Sequence, residues 1–321
     1  MFQLDTKAKI EALNFATLMN ALGITEQRLD PRFTDFSNEN DVTIPLNHST
    51  VINSYVAFFN IRKEHLLRVF DLAERAFLGL RETDEIIKRG SQDYPPLLAK
   101  TEQAPRFLYI RGNKALLYEK RTVALVGSRQ ASDKAKENTR RLTVKLGDNG
   151  ITIISGLAKG IDVTAHQEAL KKGYNTIAVI GTHLNQYYPA ENRAVQIEIE
   201  KKGLVVSQFS PANKTQRWFF PLRNGVMSGL SLATVIMEAG ETSGALKQAD
   251  FALKQGRLVM IPRCALDMKT ISWPARYVKK GAKVVTYPKD VLELLAECNI
   301  FRVDKKFEQQ TIDDILHEGV N

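Results

Sequence analysis

Four short turns in this sequence join small residues to positive charge in a way that suits an anion. Gly127-Ser128-Arg129 follows one apolar run and Ser155-Gly156-Leu157-Ala158-Lys159-Gly160 follows another. Gly181-Thr182 follows a third, and Glu238-Ala239-Gly240 leads into Ser243-Gly244 at the start of a helical pattern. Glycine lets a ligand approach the backbone, and a helix N-terminus adds unpaired N–H groups and partial positive charge, so the combination favours phosphate. Gly and Ser also make ordinary turns, but four such turns with Arg129 and Lys159 inside two of them point to a phosphate site. The standard nucleotide fingerprints are missing. Gly127 opens no G-x-G-x-x-G, and the loop ending at Gly160 continues into Ile161 and Asp162 rather than Lys and Ser/Thr. A dinucleotide dehydrogenase or a P-loop ATPase is therefore not expected.

Other residues offer chemistry with a structural alternative beside it. Asp162 and His166 are four apart and share a helical face. They read either as a catalytic dyad or as loop-positioning hydrogen-bond groups, and the structural role is the expectation. Glu238 is the best lone carboxylate, and orienting a neighbouring N–H or arginine is its simpler use. His48, His65, His183 and His317 show no ligand spacing, so no metal site is expected. The run Gln216-Arg217-Trp218-Phe219-Phe220-Pro221-Leu222-Arg223-Asn224 sets aromatics beside arginines ahead of a helix. Trp218 and Phe219 are candidates for stacking bases while Arg223 and Asn224 meet phosphate. Phe219 and Phe220 serve equally well as core anchors.

The elements that position these residues follow from periodicity. Short β-branched runs predict strands over 107–110, 123–126, 152–154, 176–180, 204–208, 234–237, 258–261 and 284–287. Helical segments are predicted between them, over 133–147, 160–172, 191–202, 222–230, 243–255 and 289–298. This alternation predicts an α/β fold with a mostly parallel sheet covered by helices on both faces. Ligands in such sheets bind beyond the carboxyl ends of the strands, where the four turns fall. Residues 1–90 read as a separate N-terminal helical domain, with helices over 7–22 and 51–80 and an irregular polar stretch from Pro31 to Pro45. The breaker cluster at Gly90 marks the boundary to a domain over 91–289, and 290–321 reads as a short acidic helical tail.

Length and charge narrow the class. The chain has 321 residues, is 44% hydrophobic and 25% charged, and has two cysteines, Cys264 and Cys298. No run approaches a membrane span and no signal peptide is evident, so a reduced cytoplasmic protein is expected. The net charge of +9 is uneven. Residues 1–90 carry 11 Lys and Arg against 13 Asp and Glu, residues 91–289 carry 31 against 15, and residues 290–321 carry 3 against 8. A basic excess confined to the middle favours a polyanionic partner such as nucleic acid.

Taken in order, these motifs resemble the DNA-processing protein DprA (Smf) family of bacteria. The resemblance runs from Tyr94-Pro95-Pro96-Leu97-Leu98 through Gly127-Ser128-Arg129, Ser155 to Asp162 and Ala165-His166. It continues through Tyr188-Pro189, Phe220-Pro221-Leu222-Arg223-Asn224, Gly229-Leu230-Ser231, Glu238-Ala239-Gly240 and Ser243-Gly244. It implies a Rossmann-like domain that binds single-stranded DNA, protects it and helps load the RecA recombinase in recombination and natural transformation. It also implies a homodimer, no cofactor, no membrane and no catalytic turnover, with a basic pocket at Arg129, Lys159 and Arg223. One departure stands out: the family usually has a second arginine after Arg-Asn, and this chain has Gly225. The alternative is a nucleotide sensor, or a phosphoribohydrolase-like enzyme using Glu238 or Asp162 as acid or base. Such enzymes usually show Pro-Gly-Gly-x-Gly-Thr, where this chain has Glu238-Ala239-Gly240-Glu241-Thr242-Ser243-Gly244.

Overall fold

The computed structural model describes residues 2–268 and 270–297. The chain opens with helices α1 (Lys7–Leu22), α2 (Glu26–Glu39), α3 (Ile52–Phe59) and α4 (Lys63–Leu78), followed by strand β1 (Glu85–Lys88) and the single turn α5 (Pro96–Ala99). Strand β2 (Phe107–Gly112) leads into the alternating part: β3 (Thr122–Gly127), α6 (Asp133–Asp148), β4 (Thr152–Ser155), α7 (Ile161–Lys172), β5 (Thr176–Val179), α8 (Arg193–Lys202) and β6 (Leu204–Ser207). Then come α9 (Phe219–Gly229), β7 (Ala233–Glu238), α10 (Gly244–Lys254), β8 (Leu258–Pro262), α11 (Arg263–Leu266), α12 (Trp273–Lys279), β9 (Lys283–Val285) and α13 (Pro288–Glu297).

The strands form one sheet in the order β1-β2-β6-β5-β4-β3-β7-β8-β9. From β6 to β9 all pairings are parallel, and β1 and β2 add an antiparallel edge. The central strands are buried along nearly their whole length because helices cover both faces. Alternate side chains of β3 sort to opposite faces. Val123 and Leu125 join the core under α6, α7 and α13, while Ala124 and Val126 join the core under α9, α10 and α12. The chain winds outward from β3 through β6, then crosses over to build β7, β8 and β9 on the other side. The switch point therefore lies between β3 and β7, where such folds open a crevice at the strand ends. No helix among the described residues is long and apolar enough to cross a membrane.

The first 90 residues depart from the sequence expectation in three ways. Strand β1 lies inside that range and pairs with β2, Glu85 opposite Ile110. Four residues are too few to display an alternating pattern. The polar stretch beginning at Pro31 contains most of α2, with Pro31 inside the helix. Leu29, Phe33 and Phe36 are buried at helical spacing there, and that burial outweighs the proline. The stretch 51–80 divides into α3 and α4 at Asn60, which takes a left-handed φ of 53°.

The helices are also not set apart from the sheet. One continuous core joins Leu13, Phe33, Phe70 and Phe77 to Phe107, Tyr109, Ala178 and Val205 on the sheet. A buried ionic seam reinforces that contact. Arg106 donates to Glu11 Oε1 at 3.1 Å, Asp30 Oδ1 at 2.7 Å and Thr34 Oγ1 at 2.9 Å. Arg89 also pairs with Asp30, and Lys88 with Glu11 at 2.5 Å. At the other end, Val291, Leu292 and Leu295 of α13 belong to the sheet core, so this helix is part of the α/β layer. The remainder of the acidic segment, 298–321, lies outside the described residues.

Glu11 is 1% exposed, so removing its guanidinium partner leaves a carboxylate buried with Lys88 alone. Arg106→Ala is expected to cost about 3 kcal/mol of unfolding free energy. Denaturant titration of the full chain measures this, and a loss below about 1 kcal/mol would show that the seam contributes little.

Candidate nucleic-acid interface

The strand-end turns meet at the switch point around a crevice of about 580 Å³. Its walls come from three loops and a helix: Gly127 to Gln130, Ala158 with Asp162, Gly240 to Ala245, and the face of α9 carrying Phe220, Arg223 and Asn224. The loops are locked together by backbone contacts. Ser128 N–H donates to the Glu238 carbonyl at 2.7 Å, and Ile161 N–H donates to the Ser128 carbonyl at 3.3 Å. A register shift at Val126/Gly127 turns the end of β3 toward β7. Two glycines permit the packing. A Cβ on Gly127 would lie 2.5 Å from Ile161 Cγ1, and Gly160, at φ +74°, would drive one to 2.8 Å from the Arg129 carbonyl.

Arg129 is exposed on the crevice rim, and among the described residues no carboxylate pairs with it. It also lines a narrower cleft that continues past Lys159, Tyr188 and Phe220. Lys159 is exposed and paired with the exposed Glu191, a contact that solvent and salt screen. Ser243 accepts from Ala245 N–H at 3.3 Å and caps α10, whose N-terminus opens onto the crevice beside Gly240 and Gly244.

Arg223 is placed differently from the free phosphate ligand that the sequence suggests. It is 6% exposed, and its Nη1 donates to the carbonyls of Gly156, at 2.6 Å, and Val179. Its Nε donates to Asn224 Oδ1 at 3.1 Å. Burial pulls its guanidinium down to about 10, against the attraction of Asp162, and Arg129 adds repulsion. It remains charged at neutral pH, so it ties the ends of β4 and β5 together while carrying positive charge into the crevice wall. Gly156 leaves room for it, since a Cβ there would collide with the guanidinium.

Asp162 and His166 face different partners. Asp162 accepts from Gly156 N–H at 3.1 Å beneath the loops. Burial pushes its carboxyl above the ordinary range, opposed by Arg223 and by the N–H groups of Ala158, Gly156 and Gly127. His166 Nδ1 lies 2.8 Å from Thr176 Oγ1, and burial pushes the ring down to about 3. Glu238 accepts from Ser132 N–H at 3.0 Å and Ser132 Oγ at 2.6 Å, which anchors the start of α6. Ser155 is fully buried and donates to the Leu125 carbonyl at 2.6 Å, so it joins strands rather than facing the crevice.

The aromatic run divides by position. Phe219 is buried and stacked on Phe209, with ring centroids 3.9 Å apart. Trp218 is 45% exposed beside it, away from the phosphate crevice. The crevice aromatic is Phe220, 5.0 Å from the Tyr188 ring. Sequence reasoning leaves Phe219 and Phe220 alike between stacking and core, because adjacent phenylalanines look the same until the first turn of α9 is oriented. Gln130, Thr242 and Gln248 also line the crevice and carried no sequence signal. Gly225, at the position of the missing arginine, packs on Gln103.

The family-level comparison agrees with the motifs. Residues 85–296 match the family model described as DNA recombination-mediator protein A, and the chain belongs to that family. It is 33% identical over 239 residues to the DNA processing protein DprA of Bacillus subtilis, covering 74% of this chain and 80% of that one. The structure of DprA from Streptococcus pneumoniae superposes with a TM-score of 0.71 at 28% identity, over 91% of this chain and 98% of that one. DNA processing protein A from Helicobacter pylori, a structure described for its single-stranded DNA binding mode, gives a TM-score of 0.58 at 25% identity over 67% and 96% of the two chains.

The buried histidine makes stability depend on pH. The fold keeps His166 neutral down to about 3, whereas the unfolded chain takes up its proton near 6.5. Stability is therefore lost as the pH falls from 6.5 toward 3, with a slope reaching about 1.4 kcal/mol per pH unit. In His166→Gln this component is expected to vanish. Unfolding titrations of both proteins between about pH 4 and 7 decide it, and parallel curves would count against the assignment.

Proposed function

We propose that this chain binds single-stranded DNA, with phosphates seated on the strand-end loops and Arg129 as the principal free cation. The observation that carries this is the crevice itself: glycine-rich loops from β3, β4 and β7 converge there with the N-terminus of α10, a buried cationic wall and a rim arginine that has no carboxylate partner among the described residues. Lys159 and Phe220 extend the same track along the adjoining cleft, one for phosphate and one for stacking. Arg223 acts chiefly as a positioning residue. Membership of the recombination-mediator family and likeness to a relative described for its single-stranded DNA binding support the reading.

The role that follows is DNA recombination and natural transformation in the cytoplasm, with the chain acting as a homodimer that protects single strands and helps load the RecA recombinase. The RecA partnership and the dimer rest on the family resemblance. The chain acts as a binding module rather than an enzyme. The groups a nucleotide hydrolase would need are already engaged: Glu238 holds Ser132, and Asp162 lies buried under its own loop. A mononucleotide site remains the alternative outcome of the test.

Each phosphate neutralised on a single strand contributes about 0.7 to the slope of log affinity against log salt. Arg129→Ala is expected to weaken oligo-dT binding and to shallow that slope by about 0.7, and Lys159→Ala to act in the same direction. Lys279→Ala, on the exposed end of α12, serves as the control and should change little. Titrations at several salt concentrations decide it. Equal behaviour of all three variants would refute the crevice assignment, and loss of mononucleotide binding alone would favour the alternative.

A further inference from the structure

We infer that the aromatic cavity between the helical layer and the sheet receives one unstacked base of the strand whose phosphates occupy the crevice. This rests on the single-stranded DNA reading above. The cavity has a volume of about 370 Å³ and lies between α1, β2 and the start of α9. Phe15, Phe107, Phe209, Trp218, Phe219 and Phe251 line it. Its inner wall is already ordered: Phe209 and Phe219 are parallel to within 1°, and Trp218 stands edge-on to Phe219 at 4.5 Å. Trp218 is the exposed lip, and a large aromatic left in water at a cavity mouth gains by stacking on a planar ring.

Continuity with the crevice identifies the occupant. Pro221 lines both spaces. Helix α10 also serves both, with Gly244 and Gln248 on the crevice and Lys247 and Phe251 on the cavity. Gly244 and Lys247 are three residues apart, about 4.5 Å along the helix axis. A strand leaving the crevice over α9 therefore reaches the cavity mouth at once.

The polar groups in the cavity suit a neutral base rather than a phosphate. Gln208 Oε1 is buried with no hydrogen-bond partner among the described residues, a cost that an amino or imino N–H of a base would remove. Glu26 is a further acceptor in the wall, where it holds Arg106 N–H; burial pushes its carboxyl up to about 7, and its ionised fraction disfavours a phosphate. Lys247 has no ion-pair partner among the described residues and supplies a cation for the phosphate of the inserted nucleotide. Every base has a stacking face and an N–H donor, so the subsite would hold a base with little sequence preference.

The test compares oligo-dT with an abasic deoxyribose-phosphate strand of equal length on the full chain. Ala16 is buried in the cavity wall, and Ala16→Phe fills the space. The expected result is about tenfold weaker binding of oligo-dT and unchanged binding of the abasic strand. Gln208→Leu should act in the same direction by severalfold, and it carries the test if Ala16→Phe fails to fold. Tryptophan fluorescence gives an independent reading. The chain has two tryptophans, and Trp273 is fully buried, so quenching on binding reports Trp218. Oligo-dT should quench it and the abasic strand should not. Equal effects of the variants on both strands, no effect on either, or equal quenching by both strands would overturn the inference. If binding of both strands still depends on Arg129, the crevice reading survives that result. If the unmodified chain binds neither strand, the crevice reading itself falls.

Discussion

A buried arginine organises this molecule's crevice. Arg223 enters from α9 and donates to carbonyls at the ends of two parallel strands, β4 and β5. Those carbonyls lie at the strand ends, and Nη1 of the guanidinium donates to both at the point where the loops diverge. Asp162 lies below, balancing the charge and accepting from the Gly156 loop. With that pair in place, the glycine turns close on one another, and Asp162 and the Glu238 carbonyl take up their N–H groups. The arrangement explains why an arginine at this position is buried rather than extended: its charge is used to build the concave surface, and Arg129 is left to meet what enters it.

The second constraint is the contact between the N-terminal helices and the antiparallel edge of the sheet. Arg106 joins two acidic residues on different helices, Glu11 and Asp30, while its guanidinium lies over the Phe33 ring at 4.7 Å. A bidentate, half-aromatic setting of this kind suits arginine and not lysine. The seam fixes α1 and α2 relative to β2, and in doing so it defines the walls of the aromatic cavity. The acidic surplus of residues 1–90 is thus partly consumed at this internal boundary, where it faces basic residues at the edge of the sheet.

The α9 segment links the two spaces. Three consecutive aromatics take three environments there: Trp218 on an exposed lip, Phe219 in a stack, and Phe220 in the crevice beside Tyr188. The helix turns by about 100° per residue, which carries Phe220 round to the crevice while Trp218 and Phe219 face the cavity. Pro221 follows within the first turn, where its missing N–H costs nothing, and it forms the partition between crevice and cavity.

The elements of the α/β part are legible in the residue pattern. Its β-branched runs and helical periods located eight strands and the helices α6 to α10 and α13, because apolar runs alternate there with longer helical periods; the short α11 and α12 gave no such signal. The pattern also located the glycine loops that line the crevice, because close backbone approach demands glycine whatever the surroundings. Tertiary structure alone decided the rest. Strand β1 owes its existence to pairing with β2, and α2 persists through Pro31 because Leu29, Phe33 and Phe36 find a core. The separate uses of Arg129 and Arg223, and of Phe219 and Phe220, depend on burial. Residue type states what a side chain is able to bond, but whether water or a carbonyl takes that bond is settled only when distant segments close over it.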